Sequence, residues 1–219
     1  MTPGQLGEVL GLPPIPQGTW AEEAVYVSPA ALRRREEPGE MAARLRVLPG
    51  IVDVRVRGDG FLEIAVAVPG ELVAEIGPVP APPSGGVSPW ADSPRTWSNP
   101  GFVVRYAHVR AVAVQRWAAE LGVGGEFQPE LLTCRWDRAV LRSLAEVDSR
   151  RGSRDPGWAA YAEQLALAYH DAFERAPALP AGDEEPSALH TARVRQARAV
   201  RDVLAEGLAA LGEAAPEVL

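Results

Sequence analysis

The stretch Asn99-Pro100-Gly101-Phe102-Val103-Val104-Arg105-Tyr106-Ala107-His108-Val109-Arg110 decides how the second half of this chain folds. Asparagine is favoured immediately before a helix, and proline suits the first helical position. From there to Gly122, apolar side chains recur at spacings of three and four, at Phe102, Tyr106, Val109, Ala113 and Trp117. This spacing predicts an amphipathic helix of about six turns whose apolar face carries these five side chains.

The sequence after this helix favours further helices. Their predicted ranges are roughly 136–149, 157–175 and 187–211, separated by Arg151-Gly152-Ser153 and by a proline-containing stretch at 177–186. Helices joined by short connections pack side by side. We therefore expect an all-α helical bundle over residues 99–219.

Residues 1–76 are predicted to form a small α+β domain. A helix signal over residues 41–48 ends at a Pro-Gly pair. Apolar residues then alternate with other residues over 52–57 and again over 62–68, which predicts a β-hairpin with one buried face. The expected fold class is therefore mainly α, with this small α+β domain preceding the bundle.

Prolines interrupt the rest of the N-terminal half. Weaker helix signals occur near residues 3–11 and 20–34. Residues 77–98 contain six prolines, which cannot supply a regular hydrogen-bonded ladder, so this segment is predicted to be a Pro/Gly-rich linker. Two exposed indoles are unusual in a linker, and Trp90 and Trp97 either dock on a neighbouring domain or contact a partner.

The composition fits a folded protein that is not a strongly basic nucleic-acid binder. Hydrophobic residues make up 47% of the 219 residues, the formal net charge is -7, and all 22 basic residues are arginine. A domain whose affinity rests on phosphate contacts usually has a basic surface, so this acidity disfavours tight non-specific binding. Arginine clusters occur within 135–154 and 193–201, and solvated helix faces explain them equally well.

Few residues are available for covalent or metal chemistry. Cys134 is the single cysteine, which excludes an intrachain disulfide. The three histidines lack metal-ligand spacing and no glycine-rich phosphate loop precedes a helix, so we expect no metal and no cofactor. The sequence shows no signal peptide and no apolar run of about 18 residues. We expect a soluble, cytoplasmic protein without membrane contact.

Three segments resemble arginyl-tRNA synthetases, in the order in which those enzymes have them. Residues 41–66 are similar to the end of the family's N-terminal additional domain. Residues 99–110 are similar to its pattern Asn-Pro-X-X-Tyr-X-Gln-Tyr-Ala-His-X-Arg, at the start of the anticodon-binding (DALR) domain, with Arg105 in place of the glutamine. Residues 132–219 resemble the remaining helices of that domain, whose Pro-Glu-Arg-Met end is replaced by Pro-Glu-Val-Leu.

This resemblance implies five tRNA-binding residues. In the family, the additional domain contacts the tRNA D-loop, so Phe61 would stack on a base, while Glu63 replaces the usual amide and only accepts hydrogen bonds. In the anticodon pocket, Tyr106 would stack on a base, Arg110 would meet a phosphate or base edge, and Leu219 would close the pocket. Alternatively, Phe61 packs in the sheet core and Tyr106 in the bundle core.

The same resemblance implies a protein without catalytic activity. A class I synthetase activates its amino acid with a His-X-Gly-His turn and a lysine-bearing loop, and neither is present in this sequence. We therefore expect a non-catalytic protein that binds tRNA of the arginine type. The alternatives are a regulatory module that binds a protein partner after losing tRNA binding, and a subunit that acts with a separate catalytic chain.

Overall fold

A four-stranded antiparallel sheet forms the centre of the N-terminal region in the computed structural model, which describes residues 1–78 and 88–218. Its strands are β1 (Ile15–Gln17), β2 (Ala24–Ser28), β3 (Ile51–Val56) and β4 (Leu62–Val66), in the order β1-β2-β4-β3. The predicted hairpin is confirmed, since β3 pairs with β4 in antiparallel register.

The expected burial of alternate residues in β3 is wrong at two positions. Val54 is fully buried, but Val52 is 63% exposed and Val56 is 43% exposed. The register shifts between Ile51 and Asp53, so that Val52 is an extra residue without a partner on β4. Such a bulge changes which side chains face the core, and β3 is also one of the two edge strands of the sheet.

Four short helical segments surround the sheet: α1 (Pro3–Leu10), α2 (Ala30–Arg34), α3 (Pro38–Arg46) and a 3₁₀ helix at Pro69–Ala74. The predictions near residues 3–11 and 41–48 are confirmed by α1 and α3. The prediction of a helix over 20–34 is wrong for its first part, which contains β2. The run Val25-Tyr26-Val27 has high strand propensity and pairs with strands on both sides.

The C-terminal region is the predicted all-α bundle. Its helices are α4 (Pro100–Glu120), α5 (Arg135–Leu144), α6 (Val147–Arg151), α7 (Trp158–Arg175) and α8 (Ala188–Ala210), with a 3₁₀ helix at Pro129–Leu131. The helix expected over 136–149 is divided into α5 and α6, and the short 3₁₀ helix was not predicted. Asn99 caps α4 as expected, since its side chain accepts hydrogen bonds from the amides of Gly101 and Phe102.

The prediction of which face of α4 is buried is wrong. The core side carries mostly small residues, namely Gly101, Val103, Val104, Ala107, His108, Ala111, Val114 and Ala118. Tyr106 and the other members of the expected apolar face are half-buried or exposed instead. Helix α4 packs against both α7 and α8, and small side chains allow the helix axes to come close. The larger apolar side chains therefore lie outside this contact.

The two regions pack directly against each other. Buried side chains of the sheet region and of the bundle form one contiguous hydrophobic cluster. Arg142 of α5 donates from Nε to the Gly18 carbonyl oxygen at 3.0 Å and from Nη2 to the Pro16 carbonyl oxygen at 3.3 Å. The division of the chain at residues 76 and 98 stays a prediction, because this core extends across it.

The second half of the predicted linker lies against the bundle. Trp90 packs on the core next to Gly101, where an added Cβ would lie 2.6 Å from the Trp90 Cβ. Asn99 Nδ2 donates to the carbonyl oxygens of Ala91 and Pro94, each at 2.9 Å. The expectation that Trp90 docks on a neighbouring domain is confirmed, whereas residues 79–87 of the predicted linker lie outside the described part of the chain.

Replacing Gly70 by alanine tests the contact between the two regions. A Cβ at Gly70 would lie 2.3 Å from the backbone oxygen of Pro129, which a rotamer change cannot relieve. We expect Gly70→Ala to lower the free energy of unfolding by about 1–3 kcal/mol in urea denaturation. Gly58→Ala is the control, because no atom lies within 4 Å of its added Cβ, and its effect should stay within about 0.5 kcal/mol. Equal stability of the two variants would contradict the described contact.

Candidate nucleic-acid interface

Aromatic side chains from α4 and from the segment just before it form one continuous group. Phe102 and Tyr106 lie one turn apart on α4, and their rings stack with centroids 5.5 Å apart and planes 20° apart. Trp97, which precedes the helix, places its ring 6.3 Å from that of Phe102 and 6.0 Å from that of Tyr106. We call the rings of Trp97, Phe102 and Tyr106 the aromatic surface.

Arg110, also on α4, supports the aromatic surface by packing between Tyr106 and the Phe173 ring of α7. Its guanidinium carbon lies 4.5 Å from the ring centre of Tyr106 and 4.4 Å from that of Phe173, so the group contacts both rings. Its Nη2 donates to Glu174 Oε1 at 2.7 Å. Only 14% of the side chain is exposed. Arg110 therefore fixes the position of Tyr106, while its contact with a phosphate or base edge stays a prediction.

His170 of α7 completes this support as a neutral imidazole. Its Nε2 lies 3.0 Å from the Val103 carbonyl oxygen, which can only accept a hydrogen bond, so Nε2 carries the proton. Nδ1 then accepts from Arg110 Nη1 at 3.2 Å. Burial lowers the pKa of His170, and the nearby Arg110 charge acts in the same direction. The His170 ring packs against Trp97 in a T-shaped arrangement, with centroids 4.8 Å apart and planes 85° apart.

The aromatic surface is accessible to solvent. Trp97 is 58% exposed, and the side chains of Phe102 and Tyr106 are half-buried. The alternative that Tyr106 is a core residue is therefore not what the structure shows. His108, two residues further along α4, is buried and donates from Nδ1 to the Pro216 carbonyl oxygen at 2.8 Å. It is a hydrogen-bonded helix residue, and burial lowers its pKa.

The segment after α8 contacts the N-terminal half of α4, the half that carries Phe102 and Tyr106. Arg105 Nη1 donates to Glu213 Oε2 at 2.8 Å, and little of either side chain is exposed. Arg105 also donates to the Ala91 carbonyl oxygen at 3.1 Å, and Ser88 hydrogen-bonds to Glu213. The arginine that replaces the family's glutamine therefore links the linker, α4 and the C-terminal segment. Leu219, the predicted closing residue of the pocket, lies outside the described residues.

The other two predicted site residues lie on the β3–β4 hairpin, apart from the aromatic surface. Phe61 is half-buried and does not belong to the buried core, and the Arg57 guanidinium lies 5.9 Å from the centre of its ring. Glu63 Oε2 lies 3.5 Å from Arg55 Nε. The structure thus brings Tyr106 and Arg110 together, and it places Phe61 and Glu63 in the sheet region with neighbours from their own hairpin.

Sequence reasoning missed the supporting residues on α7. His170 and Phe173 are three residues apart, a spacing that puts both on one face of a helix. This spacing was available in the sequence, but it does not show which helix that face contacts. Within residues 1–78 and 88–218, no cluster of histidine, cysteine or acidic residues suited to a metal ion occurs. No helix in the same ranges has the length and apolar character needed to cross a membrane.

Half-exposed, firmly held aromatic rings are the kind of surface on which unpaired bases stack. The fold and the site fit the class of helical nucleic-acid-binding domains. A comparison with known protein families gives a family of this class. The profile of the DALR anticodon binding domain matches residues 104–219, more than half of the chain. The chain belongs to the DALR anticodon-binding domain family.

A curated relative is similar over a larger part of the chain. An arginine–tRNA ligase of Clavibacter sepedonicus is 43% identical over 129 residues, which cover 56% of this chain and 23% of the ligase. The chain therefore matches less than a quarter of the length of that relative. No solved structure matches the chain.

The pKa of His170 leads to a pH-dependent stability. Since burial lowers this pKa in the folded state, the unfolded state, with a pKa near 6.5, binds the proton more readily. Stability therefore falls as the pH drops below about 6.5, and the effect vanishes well above it. In His170→Gln the amide can still donate to the Val103 carbonyl oxygen, but it does not titrate.

We expect the loss of unfolding free energy between about pH 7.5 and 5.5 to be smaller in His170→Gln than in the wild type. Urea denaturation at both pH values measures it. Groups other than His170 titrate in both proteins, so the difference isolates this histidine. Equal losses would contradict a lowered pKa of His170.

Proposed function

We propose that this chain binds tRNA through the aromatic surface, with an unpaired base of the anticodon loop stacked on Trp97 and Tyr106. The observation that carries the proposal is that these rings are accessible while residues behind them fix their positions. Stacking suits any base, because every base has a π-face. Rings that are already ordered lose little conformational freedom on binding, which favours affinity.

The charge distribution supports stacking as the main source of affinity. The chain has a net charge of -7, and seven arginines of the bundle region form short ion pairs within the protein: Arg105, Arg110, Arg142, Arg150, Arg151, Arg193 and Arg201. Paired arginines contribute less to phosphate binding than unpaired ones. The proposal therefore relies on the aromatic surface together with those arginines that form no ion pair within residues 1–78 and 88–218.

The proposed tRNA is of the arginine type. This part rests on the similarity to an arginine–tRNA ligase and on membership of a family described as anticodon binding. The same proposal places the chain in the cytoplasm, where tRNA is used. It extends to the hairpin, where Phe61 would stack on a D-loop base. Arg55 lies beside Glu63 and offsets the repulsion between this carboxylate and nearby phosphates.

Replacing Tyr106 tests the aromatic surface. We expect Tyr106→Ala to weaken binding of arginine-type tRNA by about 1–3 kcal/mol, roughly 5- to 150-fold, because one stacking ring is lost. Fluorescence anisotropy with labelled tRNA measures the dissociation constant.

Trp117→Ala is the matched control, because Trp117 is an aromatic residue on the same helix, is 39% exposed and does not belong to the aromatic surface. It should leave the dissociation constant within about twofold, an energy of roughly 0.4 kcal/mol. Equal losses in the two variants would contradict a specific role for the aromatic surface.

We further propose that the chain alone does not charge tRNA. In support, β4 ends at Val66, α4 begins at Pro100, and the 3₁₀ helix at Pro69–Ala74 lies between them. A domain of typical size, about 100–150 residues, does not fit in this interval. The absence of lysine from the sequence agrees with this proposal.

A charging assay with ATP, arginine and arginine-type tRNA tests this second part. We expect no arginyl-tRNA from the purified chain under conditions in which a full-length arginine–tRNA ligase gives product, because no group is assigned to activate the amino acid. Accumulation of arginyl-tRNA that depends on this chain would contradict the proposal.

A protein-binding module is the second candidate function, and the net charge of -7 favours it. In that case a protein would cover the aromatic surface, since interfaces are enriched in aromatic residues. The salt dependence of tRNA binding separates the two. A dissociation constant that rises with salt supports tRNA binding, whereas no binding at low salt supports the protein-binding module.

A further inference from the structure

Helix α8 carries four arginines, and two of them form no ion pair with any residue that the structure describes. Arg193 binds Asp137, with Nε–Oδ1 at 3.2 Å, and Arg201 binds Asp202, with Nη2–Oδ1 at 2.6 Å. Arg195 and Arg198 are exposed, and neither has a carboxylate at ion-pair distance in the described part of the chain. They lie three residues apart and so project from one face of the helix.

Both unpaired arginines line a cavity of about 350 Å³ between the sheet region and the bundle. Its walls include Ile76, Phe127 and the segment Gly77-Pro78, from which the chain continues into residues 79–87. This volume is within the range of small-molecule sites. Val73 and Ala74 of the first 3₁₀ helix also line it.

The same two arginines also line a second cavity of about 240 Å³, formed with the end of α4. Its wall contains Gly124 and Gly125, at which an added Cβ would meet no atom within 4 Å. Both glycines are exposed, and exposed backbone amides can donate to phosphate oxygens, although the Gly124 carbonyl oxygen accepts from Thr191. Together the two cavities form a groove on both sides of the unpaired arginines, which we call the arginine groove.

We propose that the arginine groove binds the phosphate backbone of the same tRNA whose unpaired base stacks on the aromatic surface. Arg195 and Arg198 would each neutralise one phosphate. Guanidinium groups bind phosphate oxygens through paired hydrogen bonds. The ring of Phe127 provides an apolar wall against which a base or sugar can pack. This inference rests on the proposed function, because it takes tRNA as the source of the phosphates.

The position of the groove favours RNA over a small anion. Tyr106 lies near the start of α4, while Ala118, near its end, lines the second cavity. Twelve residues of helix separate them, a distance of roughly 18 Å along the axis. A ligand that occupies both sites must therefore be a long polyanion, and tRNA is large enough to reach both. A free nucleotide can occupy only one of them.

The salt dependence of tRNA binding tests the arginine groove. The slope of log K against log salt changes by about 0.7–0.9 for each phosphate contact. We expect the double variant Arg195→Ala/Arg198→Ala to lower the magnitude of this slope by about 1.4–1.8 and to weaken binding at least roughly tenfold at low salt. The charge-matched control is Arg33→Ala/Arg154→Ala, two exposed arginines outside the groove, whose slope should stay within about 0.5 of the wild type.

Failure of this inference is distinguishable from failure of the proposed function. A wild-type slope in the groove variant, or an equal change in the control, would overturn the groove while tRNA binding stands. If the wild type binds no tRNA, the proposed function fails, and a single-stranded RNA hexamer is then titrated by calorimetry. Binding that the groove variant loses supports the groove. No hexamer binding, or binding of inorganic pyrophosphate alone, overturns it.

Discussion

The small side chains on the core side of α4 are the constraint on which the rest of the bundle depends. Ala107 and Ala111 lie on the buried side of α4, which packs against α7 and α8, and such small side chains allow the helices to come close. Because this contact leaves no room for rings, Phe102 and Tyr106 must lie at its edge. The same packing that forms the core therefore produces the accessible aromatic surface.

The sequence contains no lysine, so arginine makes the structural contacts that arginine and lysine share in other proteins. A guanidinium is planar, so one group can contact aromatic rings and hydrogen-bond in its own plane at the same time. Arg110 does this between Tyr106 and Phe173, and Arg142 joins the bundle to the sheet region through two backbone carbonyl oxygens. A carboxylate inside such a network is stabilised as the anion. Burial would raise the pKa of Glu146, but hydrogen bonds from Arg150 and Arg142 lower it overall.

Local patterns predicted the helices and the hairpin, because caps, alternation and helical spacing are properties of short stretches. They did not predict which face of α4 is buried, since this helix has two apolar stripes and only its neighbours decide between them. The register shift at Val52 and the strand at Ala24–Ser28 likewise depend on pairing with distant residues. The contact between Tyr106 and Arg110 follows from their spacing of four on one helix, whereas the contacts of His170 and Phe173 required the packing of α7 on α4. Their role as site residues stays a prediction.

Photocrosslinking tests most directly the claim that the aromatic surface holds an unpaired base. Arginine-type tRNA with 4-thiouridine in the anticodon loop is irradiated with the chain and digested with trypsin. Cleavage after arginine separates residues 96–105, which contain Trp97 and Phe102, from residues 106–110, which begin with Tyr106. The account predicts crosslinked nucleotide on these two peptides. Crosslinks confined to other peptides, although the tRNA is bound, would contradict it.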